Sequence, residues 1–143
     1  SCDEYIEAIT RNLDANILPY IKAHPETEFT IFYPPYSILY WNDVCNKGEL
    51  ETVMEKYRYM SRRFLEYDNV KLFFFQNRED IICDLNNYAD YTHYSPKVCE
   101  FMVQCFANDE CRVDEYSLDE EIDKLYDLTS DYDYDAIWDD WYN

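Results

Sequence analysis

At 143 residues, 48% hydrophobic and carrying sixteen Tyr, eight Phe and three Trp, the chain is long enough for one packed domain and too apolar for extensive disorder. A formal charge of -19 excludes nucleic acid as a direct ligand, since phosphates are repelled, while an acidic surface that mimics DNA toward basic partners stays open. No apolar run approaches the ~20 residues that span a bilayer, and no signal peptide is visible.

The chain begins without Met, and Ser1-Cys2-Asp3 runs straight into a helical pattern, so a longer parent protein with upstream segments is expected. Ile6, Ile9, Leu13, Ile17, Tyr20 and Ile21 recur at helical intervals and predict an amphipathic helix over 4–23. Pro19 falls inside that pattern and should kink or shorten its last turn, and His24-Pro25 ends it. Glu28 to Tyr33 is a β-rich run whose nearly continuous apolar character predicts a strand inside a sheet covered on both faces. Pro34-Pro35 marks its carboxyl end. The aromatic stretch Tyr36–Trp41 then reads as a loop, either packed or forming the wall of a cleft, with Tyr36, Ser37 and Trp41 as candidate cleft residues.

Gly48, the only glycine, precedes a helical run over 49–67 whose inner face is Leu50, Val53, Met54, Tyr57, Ser61, Phe64 and Leu65. After Asp68-Asn69, the run Val70 to Phe75 predicts a second interior strand. Strand, helix and strand in this order form a βαβ unit, which implies parallel pairing. A long connection over 77–95, with a short turn at 79–83, leads to a helix from Pro96 capped by Ser95. Its inward face is Val98, Phe101, Met102, Cys105 and Phe106. The expected fold is therefore α/β, an open and mostly parallel sheet flanked by helices in a flavodoxin-like three-layer arrangement over 1–113.

Residues 114–143 form an acidic, aromatic extension that packs on this domain. Leu118, Ile122 and Leu125 support a short helix, and Tyr134, Ile137, Trp138 and Trp141 share helical spacing. Asp131, Asp133 and Asp135 alternate as in a calcium loop, but the glycine and closing glutamate of an EF-hand are missing. The six cysteines (Cys2, Cys45, Cys83, Cys99, Cys105, Cys111) match no zinc spacing and read as free thiols rather than disulfides.

Asp90-Tyr91-Thr92-His93, before the Ser95-Pro96 helix start, holds one of only two histidines. Histidine is the side chain best suited to general-base work near neutrality, and a nearby carboxylate can fix its tautomer and stabilise the imidazolium. A surface histidine near a helix N-terminus has the same sequence. His93 and the Pro35–Trp41 segment would share the edge outside the carboxyl ends of the strands, where open parallel sheets bind ligands. His24, at a helix end, reads as a solvated residue.

The two blocks Phe29–Ser37 and Asn87–Ser95, in that order on a βαβ frame, resemble the C-terminal half of bacterial SGNH/GDSL-type hydrolase-like proteins, related in fold to the lipoteichoic acid D-alanylation protein DltD. The resemblance covers roughly residues 4–108, and its last block, D-x-x-H, falls on Asp90 and His93. It implies acyl-ester hydrolysis or transfer on cell-envelope polymers, with His93 as base, Asp90 as its orienter, and no cofactor or metal. It further implies an extracytoplasmic, envelope-associated setting. The superfamily's Gly-Asp-Ser block and oxyanion-hole residues have no counterpart in this one-glycine chain. Its partner would then be the missing N-terminal half of the same protein, and the chain alone should be inert. Two alternatives stand beside this. One is an autonomous hydrolase with Ser37 as nucleophile. The other is a non-enzymatic acidic interaction module.

Overall fold

The computed structural model describes residues 2–137, so Trp138 and Trp141 of the expected tail helix lie outside the described residues. The first amphipathic run folds as α1 (Cys2–Asn12), a π-helical stretch (Leu13–Ile17) and α2 (Leu18–Ala23). Pro19 explains the break, because it has no N–H to donate and its ring crowds the carbonyl four residues back. The chain widens one turn instead, and Leu18 N–H donates to Leu13 O five residues back. Leu13, Leu18 and Ile21 stay on one side and bury against Phe64 and Val70.

β1 (Phe29–Tyr33), α3 (Ile38–Asn46), α4 (Leu50–Leu65) and β2 (Val70–Phe74) follow. The two strands pair in parallel from Phe29 opposite Val70 to Tyr33 opposite Phe74, as the βαβ pattern predicts. Asn69 fixes the entrance to both. Its Nδ2 lies 3.1, 2.9 and 3.1 Å from the carbonyls of Ile21, His24 and Thr27, and its own carbonyl accepts Phe29 N–H at 2.8 Å. Asn69→Ala therefore unties α2 from β1, with an expected loss of about 1–2 kcal/mol in urea unfolding. An unchanged midpoint would show that water replaces these bonds at no cost.

α5 (Glu79–Ile82) and a 3-10 turn (Leu85–Asn87) precede α6 (Pro96–Asn108), and β3 (Arg112–Val113) and α7 (Leu118–Asp131) complete the order. The fold is α/β, an open three-stranded mixed sheet in the order β1-β2-β3 with helices packed around it. Side chains alternate across β2. Leu72 and Phe74 join the large core with Trp41, Met54, Tyr57, Ile122 and Leu125, while Phe73 and Phe75 pack against Met102 and Cys105 of α6 on the other face.

Two expectations, the interior place of β1 and the loop after Ser37, are corrected, and β3 and the packing of α7 are added. β3 runs antiparallel to β2, Leu72 opposite Val113, so the sheet is mixed. β1 is an edge strand rather than an interior one, and Phe32 is 40% exposed although its ring packs 5.4 Å from that of Phe106. The segment after Ser37 is a helix, not a loop, because Ile38, Trp41 and Val44 recur every third residue and all bury. α7 contributes Leu118, Ile122 and Leu125 to the main core, all at 1% exposure or less, so it is part of that core.

Candidate functional site

The segment between α5 and α6 folds back on itself. Tyr88 and Tyr94 form an isolated antiparallel bridge, Ala89 N–H donates to His93 O at 2.9 Å, and Ser95 N–H donates to Asn87 O at 2.7 Å. Two further bonds fasten this loop to the chain leaving β1. Ser37 N–H donates to Tyr91 O at 3.0 Å, and the Tyr88 hydroxyl donates to Pro35 O at 2.9 Å. Ser95 occupies the N-cap position of α6 without a side-chain cap bond, and Pro96 takes the first turn. The loop tip therefore sits beside the carboxyl end of β1.

At that tip the Asp90 carboxylate is used on both oxygens. Oδ1 accepts the backbone N–H of Thr92 at 2.9 Å and of His93 at 2.8 Å, and Oδ2 lies 2.6 Å from His93 Nδ1. The two backbone donors, Thr92 first, and then the imidazole hold the Asp90 carboxyl down at about 2. A carboxyl whose folded pKa is depressed adds stability above its ordinary ~3.9, and that contribution disappears as pH falls through the folded value. The loop tip should thus keep its geometry until about pH 2. A carbon-13 titration of the Asp90 carboxyl should show a midpoint about there, and a midpoint near 4 would mean that these bonds do not persist in solution.

The same backbone geometry occurs where no chemistry is expected. Asp114 Oδ1 accepts the N–H of Tyr116 at 2.9 Å and of Ser117 at 2.8 Å ahead of α7, and these bonds likewise lower its carboxyl. The turn alone is therefore a structural device of this chain. What distinguishes Asp90 is the imidazole three residues on. It holds one ring nitrogen and leaves Nε2 as the nitrogen able to meet a hydroxyl.

His93 and Asp90 are exposed, with side chains 79% and 55% accessible. With Pro34, Tyr36, Thr92 and Tyr94, His93 lines an open cleft of about 410 Å³. Tyr36 is thus brought to the histidine. Ser37 and Trp41 are not cleft walls here, since both are 0% exposed and Trp41 packs in the main core. Their burial follows from α3, which turns Ser37 into its N-cap residue and Trp41 inward one turn later. Thr92, Tyr94 and Pro34 were missed as cleft residues, although Thr92 and Tyr94 flank His93 in sequence. His24, 54% exposed, pairs only loosely with Glu26 at 3.3 Å.

The buried polar atoms Ser37 Oγ and Trp41 Nε1 have no hydrogen-bond partner among the described residues, and the buried Gln76 amide is poorly satisfied, with the Tyr57 hydroxyl as its one neighbour of that kind. Each such group costs about 1–3 kcal/mol. Ser37 and Gln76 follow the carboxyl ends of β1 and β2, so this local cost sits at the edge of the sheet that carries the dyad.

Among the described residues no three His, Cys, Asp or Glu side chains are placed to hold a metal, and no helix is long and apolar enough to cross a membrane. No protein-family model, curated protein or solved structure matches the chain.

Proposed function

We propose that this chain is the C-terminal part of a serine acyl-ester hydrolase or acyltransferase of the SGNH type, built on a flavodoxin-like three-layer sheet. His93 is its general base and Asp90 the residue that orients it. The nucleophilic serine and the oxyanion donors come from an upstream segment of the same protein. One observation carries this reading: a 2.6 Å Asp90–His93 contact, with the carboxylate braced by two backbone N–H groups beside an open cleft at a strand end. A serine hydroxyl at Nε2 would lose its proton to His93 as it attacks an acyl carbonyl. The imidazolium, stabilised by Asp90, would then return that proton to the leaving alcohol. Water would release the acyl group by the same exchange. Acylated polymers of the cell envelope are the substrate class, and the envelope is the setting.

The pairing of four α7 carboxylates within the chain counts against α7 as the recognition face of the interaction-module alternative. On α7, Asp119 contacts Arg58 and Arg62, Asp123 contacts Arg58, and Glu120 and Glu121 contact Lys124. Much of the acidic face of that helix is therefore engaged with its own chain.

The test is covalent labelling by a fluorophosphonate, which traps serines activated by a general base. In protein expressed with its upstream reading frame, the label should fall on an upstream serine and vanish in His93→Ala. The present chain alone should neither take the label nor hydrolyse p-nitrophenyl acetate above background. Labelling at Ser37, or labelling indifferent to His93→Ala, would overturn the proposal.

A further inference from the structure

The end of α6 brings two cysteines together on the face of the sheet opposite the main core. Cys105 lies in the last turn of the helix, and its carbonyl accepts the N–H of both Asp109 and Glu110, the latter at 3.0 Å. Asp109 and Cys111 both adopt left-handed backbone conformations, φ 56° and 58°, which turns the chain back on the helix that it has just left. The Cys111 carbonyl then accepts Phe74 N–H at 2.9 Å and starts the pairing of β3 with β2. As a result Cys111, half-buried, packs against the apolar cluster that holds Cys105, itself buried at 0% exposure, and the two thiols interact. A left-handed conformation is unusual for a cysteine and costs about 1–2 kcal/mol.

A cation completes the cluster. Arg78 Nη1 lies 3.4 Å from Cys111 Sγ, and the guanidinium sits 4.8 Å over the Phe101 ring. Asp80 receives two bonds from the same guanidinium, each 2.9 Å, so its position is fixed rather than swept through solvent. The remaining thiols have other surroundings: Cys45 faces Thr129 O and the Tyr134 hydroxyl, and Cys99 is exposed on the outer side of α6.

We propose that Cys105 and Cys111 form a reversible disulfide site, oxidised by low-molecular-weight disulfides, with Cys111 as the attacking thiol and Arg78 as the cation that holds its charge. Cys111, as thiolate, attacks one sulfur of an oxidant R–S–S–R. The oxidant's S–S bond breaks, a Cys111–S–S–R bond forms, and RS⁻ leaves to take a proton from water. The Cys105 thiol then loses its proton and attacks Cys111 Sγ, expelling the second RS⁻. Two electrons pass from the cysteine pair to the oxidant, giving one intramolecular disulfide and two R–SH. Burial pushes the Cys105 thiol up to about 11, which fits its role as the second, resolving group rather than the first. The bond requires the sulfurs to close to about 2.05 Å, and the packing of Cys111 against the cluster that holds Cys105 sets them on the same side of the sheet for it. It would pin the left-handed turn and staple α6 to β3.

The experiment exposes the folded chain to oxidised glutathione, then alkylates the free thiols and maps peptides by mass spectrometry. A Cys105–Cys111 link is expected in the parent protein, reversed by dithiothreitol, whereas Cys99 should carry only a glutathione adduct. Cys105→Ala should accumulate the mixed disulfide on Cys111, and Arg78→Gln should slow the link at least tenfold. The parent measurement needs no variant to fold. Both cysteines remaining alkylatable, or either pairing with another thiol, overturns the site. An unchanged rate in Arg78→Gln removes the arginine's role.

Discussion

Asp90→Asn is expected to lower kcat for acyl transfer by the longer protein roughly 10³–10⁴-fold, with KM and thermal stability little changed. The geometry makes this substitution informative. Two backbone N–H groups, from Thr92 and His93, need an acceptor at Oδ1, so the amide oxygen of an asparagine must stay there. Its NH₂ is then forced toward His93 Nδ1, where Oδ2 now stands at 2.6 Å. An NH₂ donor requires Nδ1 to accept, so the ring proton moves to Nε2. The nitrogen that must receive the serine proton is then already protonated. The turn survives while the tautomer is wrong. A solvated histidine ending a structural turn, like Ser117 after Asp114, would show no such loss. Steady-state kinetics and a melting curve on the same preparation separate the cases. Full activity in Asp90→Asn would sink the catalytic assignment.

The legible parts of the molecule are those in which one periodicity ran long enough to dominate. α4 presents seven apolar or small residues on one side over sixteen positions, and its ends fall within two residues of the expected ones. β1 and β2 are short, but their pairing follows from the helical crossover between them. The Asp90–His93 contact was likewise within reach, because a three-residue spacing in a tight turn leaves few other places for the ring.

Other features were hidden for physical reasons. β3 is two residues long, and its position depends on two left-handed residues that carry no glycine signal. α3 was masked by Tyr36, Tyr40 and Trp41, whose bulk and weak helix preference make the segment resemble a loop wall. Once α3 forms, Ser37 and Trp41 are committed to the interior and only Tyr36 of the three remains in the cleft. The edge position of β1 could not be read either. Phe32 makes the strand look buried on both faces, yet its ring rests on Phe106 with two-fifths of the residue exposed.

Removal of residues 114–143 should abolish cooperative folding, although the acidity of that stretch makes it look dispensable. α7 is amphipathic in the strict sense. Asp119, Glu120 and Asp123 face solvent and basic partners, while Leu118, Ile122, Leu125 and Thr129 are buried. The three apolar residues belong to the same cluster as Trp41, Met54, Tyr57, Leu72 and Phe74, so deleting the helix exposes the main core along its length. Burying each large apolar side chain contributes about 1.5–3 kcal/mol, so these three together supply roughly 5–9 kcal/mol. Domains of this size are stable by only about 5–15 kcal/mol in total. The ion pairs of Arg58 and Arg62 with α7 add little, because the carboxylates of Asp119 and Asp123 are more than half exposed. Circular dichroism of a chain ending at Val113 should show no sigmoidal thermal transition, and the dye ANS should bind its uncovered core. A cooperative melt near the parent temperature would instead make 1–113 a self-sufficient domain and α7 an attachment to it.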